Sequence, residues 1–89
     1  MGEYLASLRK DFDVIVSGRS DSNVRFASLC RVLQALGFAK RLSGGSHHIF
    51  YRDGIEEIIN LQSLAGGKAK AYQVKQVRQV IIKYGLRLN

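Results

Sequence analysis

The chain has 89 residues and a mass of 9.9 kDa, room for one domain over 1–89, and its lone cysteine, Cys30, excludes a disulfide framework and a zinc finger. Hydrophobic residues at 46 % and charged residues at 24 % fit a globular chain rather than a disordered one. No apolar run exceeds three residues, too short for a membrane span, and Glu3, Arg9, Lys10, Asp11 and Asp13 exclude a signal-peptide core, so the expected location is the cytoplasm.

Fourteen Lys and Arg against seven Asp and Glu leave +7, with a pI near 10.0. Within residues 1–30 the four basic and four acidic side chains cancel, and residues 31–89 carry the whole excess. No carboxylate side chain follows Glu57, whereas Lys68, Lys70, Lys75, Arg78, Lys83 and Arg87 do. A one-signed field over a compact face attracts phosphate, which favours nucleic acid. An acidic protein satisfies the same field, and a basic surface also serves solubility alone.

Leu5, Leu8, Phe12 and Ile15 step by helical intervals and predict a helix over roughly 3–16. Residues 17–23 are polar and turn-forming. Phe26, Leu29, Cys30, Leu33 and Leu36 predict a second helix, ended by Gly37. Phe38 to Leu42 then reads as a first strand and Gly44-Gly45-Ser46 as its bend. The runs His47–Arg52 and Ile55–Leu61, joined by Asp53-Gly54, predict a two-residue hairpin with positive φ at both turn residues. After Gly66-Gly67, the spacing of Val74, Val77, Ile81 and Tyr84 predicts a last helix over 72–84, closed by Gly85. The expected fold is α+β, an antiparallel three-stranded meander with helices on one face.

Neighbouring strand residues point to opposite faces, so His47 and His48 cannot share a metal. Neither a metal-binding spacing nor a cofactor motif appears elsewhere. Ala65-Gly66-Gly67-Lys68 fails as a phosphate loop, which needs a glycine at Gln62 and a hydroxyl at Ala69. Lys68 and Lys70 nevertheless lie near the start of the last helix, where phosphate is favoured. His47 follows two glycines that allow close approach of a ligand, and imidazole as a class titrates near neutrality. A structural histidine at a strand start fits the same position, and the residues alone leave both readings open. His48 is expected to pack or sit at a rim, Cys30 to be a small core residue, and Phe12, Tyr72 and Tyr84 to be core. Tyr51, on the face of His47, is the expected stacking residue for a base.

Leu33-Gln34-Ala35-Leu36-Gly37-Phe38, then Arg41, then Gly45-Ser46-His47-His48-Ile49-Phe50, a further strand and a terminal helix together resemble the HicA toxins, small RNA-cleaving proteins of toxin–antitoxin pairs. The resemblance covers roughly residues 26–86. It implies a double-stranded-RNA-binding-domain-like fold, α-β-β-β-α, making 1–25 an N-terminal helical extension and 26–89 the HicA-like core. It also implies metal-independent cleavage of messenger RNA, neutralisation by a HicB-type antitoxin, and catalysis by His47 of the Gly45-Ser46-His47 motif. Arg41, Lys68, Lys70 and Lys75 then become the expected phosphate ligands. Many family members carry a Pro-x-His stretch after the third strand; here Asn60-Leu61-Gln62-Ser63 stands in its place. A non-catalytic RNA-binding module on the same basic surface is the alternative.

Overall fold

A computed structural model describes residues 2–89. Its elements run α1 (Gly2–Ser17), a short 3-10 turn (Asp21–Asn23), α2 (Phe26–Ala35), β1 (Ala39–Ser43), β2 (His47–Tyr51), β3 (Ile59–Leu61) and α3 (Ala71–Tyr84). The sheet is antiparallel in the order β1-β2-β3. From α2 onward this is the α-β-β-β-α order of the double-stranded-RNA-binding-domain fold, with α1 added in front. Among the described residues no helix is long and apolar enough to cross a membrane.

Each helix ends where its sequence stops supporting it. Gly37, at φ 93°, lets the amide of Phe38 turn back and donate to the carbonyl of Leu33 at 3.1 Å. Gly85 does the same for Leu86 and Ile81 at 3.0 Å, so orphan carbonyls at both helix ends find partners. α1 contributes Leu8, Phe12 and Ile15 to the same buried cluster as Leu29 and Leu33 of α2 and Val74 and Val77 of α3. Leu5, expected in that stripe, is 56 % exposed; the buried residues of α1 begin at Leu8.

The ladder decides which face of β2 is covered. Phe50 pairs with Ile59, and His48 with Leu61; Phe50, Ile59 and Leu61 are fully buried. His47, Ile49 and Tyr51 therefore line the uncovered face. His48 packs edge-on against Phe26 of α2 with centroids 5.0 Å apart. Its Nδ1 is buried without a hydrogen-bond partner, and burial, followed by the charge of Lys40, holds its pKa below the usual histidine value. Cys30 is buried as expected, and burial pushes its thiol up to about 11, which leaves it unreactive near neutrality.

Two strand expectations need correction. The first strand is displaced by one residue, since Phe38 turns into the core and Ala39 begins the pairing. The third strand starts at Ile59 rather than Ile55, and no two-residue hairpin forms at Asp53-Gly54. The amide of Ile55 closes a turn on the carbonyl of Arg52 at 3.1 Å, but only Gly54 has positive φ. Contacts from α3 hold the chain beyond that turn. The Tyr84 hydroxyl donates to Glu57 Oε1 at 2.6 Å and accepts from the Glu56 amide at 3.2 Å, while Lys83 Nζ donates to Glu57 Oε2 at 2.9 Å. The β-branched composition of 55–58 is thus overridden by a tertiary anchor.

That anchor carries a pH signature. The Tyr84 hydroxyl and then the Lys83 ammonium lower the Glu57 carboxyl from 4.5 to about 2. The folded state binds this proton less tightly than the unfolded chain, so the stabilisation is complete above about pH 4.5 and is lost as pH falls toward 2. Urea midpoints followed from pH 6 to pH 2 are expected to fall more steeply for the wild type than for Glu57→Gln. Parallel curves would remove Glu57 as the anchor.

Candidate active site on the open sheet face

The uncovered face is ordered by the ladder. Arg41 stands opposite Ile49, and Ser43 opposite His47; Asn60 stands on the other side of Ile49. Between β1 and β2, Gly44 and Gly45 both have positive φ, 60° and 77°. A Cβ at either would meet nothing within 4 Å, so the requirement for glycine there is torsional rather than steric. This tight bend sets His47 at the first position of β2, at the edge of an open surface.

His47 Nδ1 lies 3.3 Å from Asn60 Oδ1. A carbonyl oxygen only accepts, so Nδ1 donates, and the lone pair is left on Nε2. Polar groups surround the pair. Gln62 Nε2 donates to Ser46 Oγ at 3.2 Å, and Lys70 Nζ donates to Gln62 Oε1 at 3.3 Å. Gln73, the one buried polar residue of the described core, accepts from the Gln62 amide and donates to the Asn60 carbonyl, both at 3.4 Å. It thereby fastens β3 to the first turn of α3. That turn carries no acidic residue and no side-chain cap, and Lys70 occupies its N-cap, so the helix dipole and the ammonium present positive potential together. His47, Asn60, Gln62, Tyr72 and Gln73 line a depression of about 220 Å³, smaller than the roughly 300–1,000 Å³ that takes a drug-sized ligand.

No family model, curated protein or solved structure matches this chain. The chemistry of the site rests on its own geometry.

The expected site residues divide into two groups. His47, Gly45, Ser46 and Lys70 come together. Arg41 is on the same face, diagonal to His47 across the β1–β2 ladder, a spacing of about 7–8 Å between such neighbours, but it lines the neighbouring hollow rather than the His47 depression. Tyr51 shares the face but stands four residues along β2, about 13 Å away at the strand rise, in a separate hollow with Arg41, Ile49 and Ile58. Lys68 is not part of the cluster: its backbone pairs with Arg25, and its Nζ donates to Asn23 Oδ1 at 3.3 Å. Lys75 is exposed and does not line the depression around His47; it stands three residues after Tyr72, on the same flank of α3.

Asn60, Gln62, Gln73 and Tyr72 were not among the expected site residues. Strand phase contains the signal for the first two: Leu61 is apolar, so its neighbours face the other way. Tyr72, expected in the core, is 65 % exposed, because it lies on the flank of α3 away from Val74 and Val77. The largest depression, about 590 Å³, is lined only by residues of α1 and the loop after it. It shares no residue with the histidine site. Among the described residues no three His, Cys, Asp or Glu side chains gather as a metal site would require.

Proposed function

We propose that this chain is a HicA-like toxin, a metal-independent endoribonuclease that cleaves messenger RNA in the cytoplasm and is neutralised by a HicB-type antitoxin. One observation carries the reading: a histidine on an open, basic sheet face, with Nδ1 engaged by Asn60 and Nε2 left as the basic atom. In this mechanism Nε2 takes the proton of a ribose 2′-hydroxyl, and the 2′-oxygen attacks the adjacent phosphorus. The bond to the 5′-oxygen breaks, and that oxygen takes a proton from water. The products are a 2′,3′-cyclic phosphate and a free 5′-hydroxyl. Lys70 and Arg41 carry the charge that builds on the phosphoryl oxygens. An antitoxin acts by covering His47 and the positive face around it.

The test is cleavage of RNA by the purified chain in excess EDTA. Undiminished cleavage that leaves cyclic-phosphate ends is expected; cleavage abolished by EDTA, or 3′-hydroxyl ends, would overturn the reading. One feature favours a non-catalytic RNA-binding module instead: no second histidine or carboxylate lines the depression. Salt-dependent RNA binding with no cleavage under any condition would establish that alternative.

A further inference from the structure

Tyr72 stands on the first turn of α3 with 65 % of its surface exposed, more than Tyr4 or Tyr51. It contributes nothing to the core, and its phenol makes no hydrogen bond among the described residues. Yet it lines the same small depression as His47. The depression is built firmly, since Gln73 spends one end of its amide on Asn60 of β3 and the other on Gln62 just after it, and Gln62 is held between Ser46 and Lys70. Asn60 differs from these two. Its Oδ1 is engaged by His47, while its Nδ2 donates to no group among the described residues. An exposed aromatic ring, an unspent amide donor and an imidazole thus share one hollow, beside an ammonium at a helix N-cap.

This combination matches one ligand class. A nucleobase offers a π-face to the ring and an acceptor edge to the amide, and Lys70 stands where the attached phosphate runs. We infer that Tyr72 is the stacking platform for an unpaired nucleobase, that Asn60 Nδ2 hydrogen-bonds its edge, and that the nucleic acid bound here is single-stranded. A base inside a duplex has both faces covered by its neighbours and its Watson–Crick edge taken up by its partner base; Tyr72 has nothing to stack on there. Tyr51, set apart among Ile49, Ile58 and Arg41, lacks a neighbouring amide donor and does not face the same nucleotide. The inference takes from the proposed function only that RNA crosses the His47 face.

The test uses short oligonucleotides with 2′-fluoro riboses, which lack the attacking hydroxyl, and with 2-aminopurine moved along the strand. Binding to the wild type is expected to quench the fluorophore at one position. Tyr72→Phe should keep the quench, whereas Tyr72→Ala should lose it and bind between about 5-fold and about 150-fold more weakly, with an unchanged melting temperature. The same strand annealed to its complement should bind at least about tenfold more weakly, with no dependence on Tyr72. Equal binding and quenching by wild type and Tyr72→Ala would overturn the platform, as would a duplex that binds as tightly as the single strand. Cleavage is not read in this assay, so the two ideas fail separately. A wild type that quenches through Tyr72 yet leaves natural RNA intact keeps the platform and removes the ribonuclease; His47-dependent cleavage indifferent to Tyr72 does the reverse.

Discussion

Replacing His47 by alanine is expected to lower RNA cleavage by about 10²–10⁴-fold, the usual contribution of a positioned general base. The melting temperature should not move, because the side chain stands on the uncovered face and packs on nothing in the core. RNA affinity should persist as well, since the proposed phosphate ligands, Arg41 and Lys70, are untouched by the substitution. Asn60→Ala probes the same assignment from one step away. It frees the ring to turn and to exchange tautomers, and should reduce kcat about 10- to 100-fold; any accompanying rise in KM reports the loss of the Asn60 Nδ2 contact to the base. Growth of a bacterial host and the survival of its intact messenger RNA, followed after induction, give the readout in cells. Full cleavage by His47→Ala in a nuclease-free preparation would make the histidine a structural residue and end the ribonuclease reading. Equal growth arrest from both proteins would assign toxicity to the basic surface.

The second large effect belongs to stability. Arg78 of α3 donates to both carboxylate oxygens of Asp21, at 2.8 and 3.0 Å, and to the carbonyl of Ile15 at 3.1 Å. Its side chain is 16 % exposed and that of Asp21 20 %, so water screens the pair poorly, and the bonds to Asp21 hold the guanidinium's pKa above its ordinary value. Asp21→Ala leaves this poorly hydrated charge with only the Ile15 carbonyl, at a cost of about 3 kcal/mol. For a chain of this size that lowers Tm by roughly 12–24 °C. Asp21→Asn keeps one acceptor and should lose less. The double substitution with Arg78→Ala should cost less than the two single losses together, because it removes the stranded charge. A Tm for Asp21→Ala within a degree of the wild type would mean that the pair behaves as an exposed one.

Residues that obey a local rule were legible in the sequence. The stripes of α2 and α3 and the glycines that end them follow from 3.6-residue periodicity and from the left-handed torsions at Gly37 and Gly85. The separation of His47 from His48 followed from strand phase. Which of the two is buried did not, because that depends on Phe50 meeting Ile59 across the ladder and on Phe26 arriving from α2. Ile55 to Ile58 look like strand by composition, but a hydroxyl and an ammonium 27 and 26 residues later claim Glu57, and no local pattern contains that contact. At the site, the Gly45-Ser46-His47 bend is visible in the sequence, while Lys68 and Lys75 are suggested by charge and by nearness in sequence to the start of the last helix, neither of which fixes where the side chain points. The chain folds Lys68 toward Asn23 and leaves Lys75 outside the lining of the depression, because a net charge does not specify direction. Tyr72 fits the core by its place in a helical run, but it lies off the stripe of Val74, Val77 and Ile81, and that phase on α3 puts it outside.

The clasp at Arg78 also sets an order of events during synthesis. It joins partners 57 and 63 residues apart, and a chain made from its N-terminus cannot close it until Arg78 has been added. Until then α1 has no α3 to pack on, and Gln73 has not yet tied β3 in place beneath His47. The hairpin carrying the histidine is translated before α3, and the hollow around it is completed only once α3 has been added. A chain truncated before residue 71 would therefore carry His47 and Asn60 without the surface that organises them.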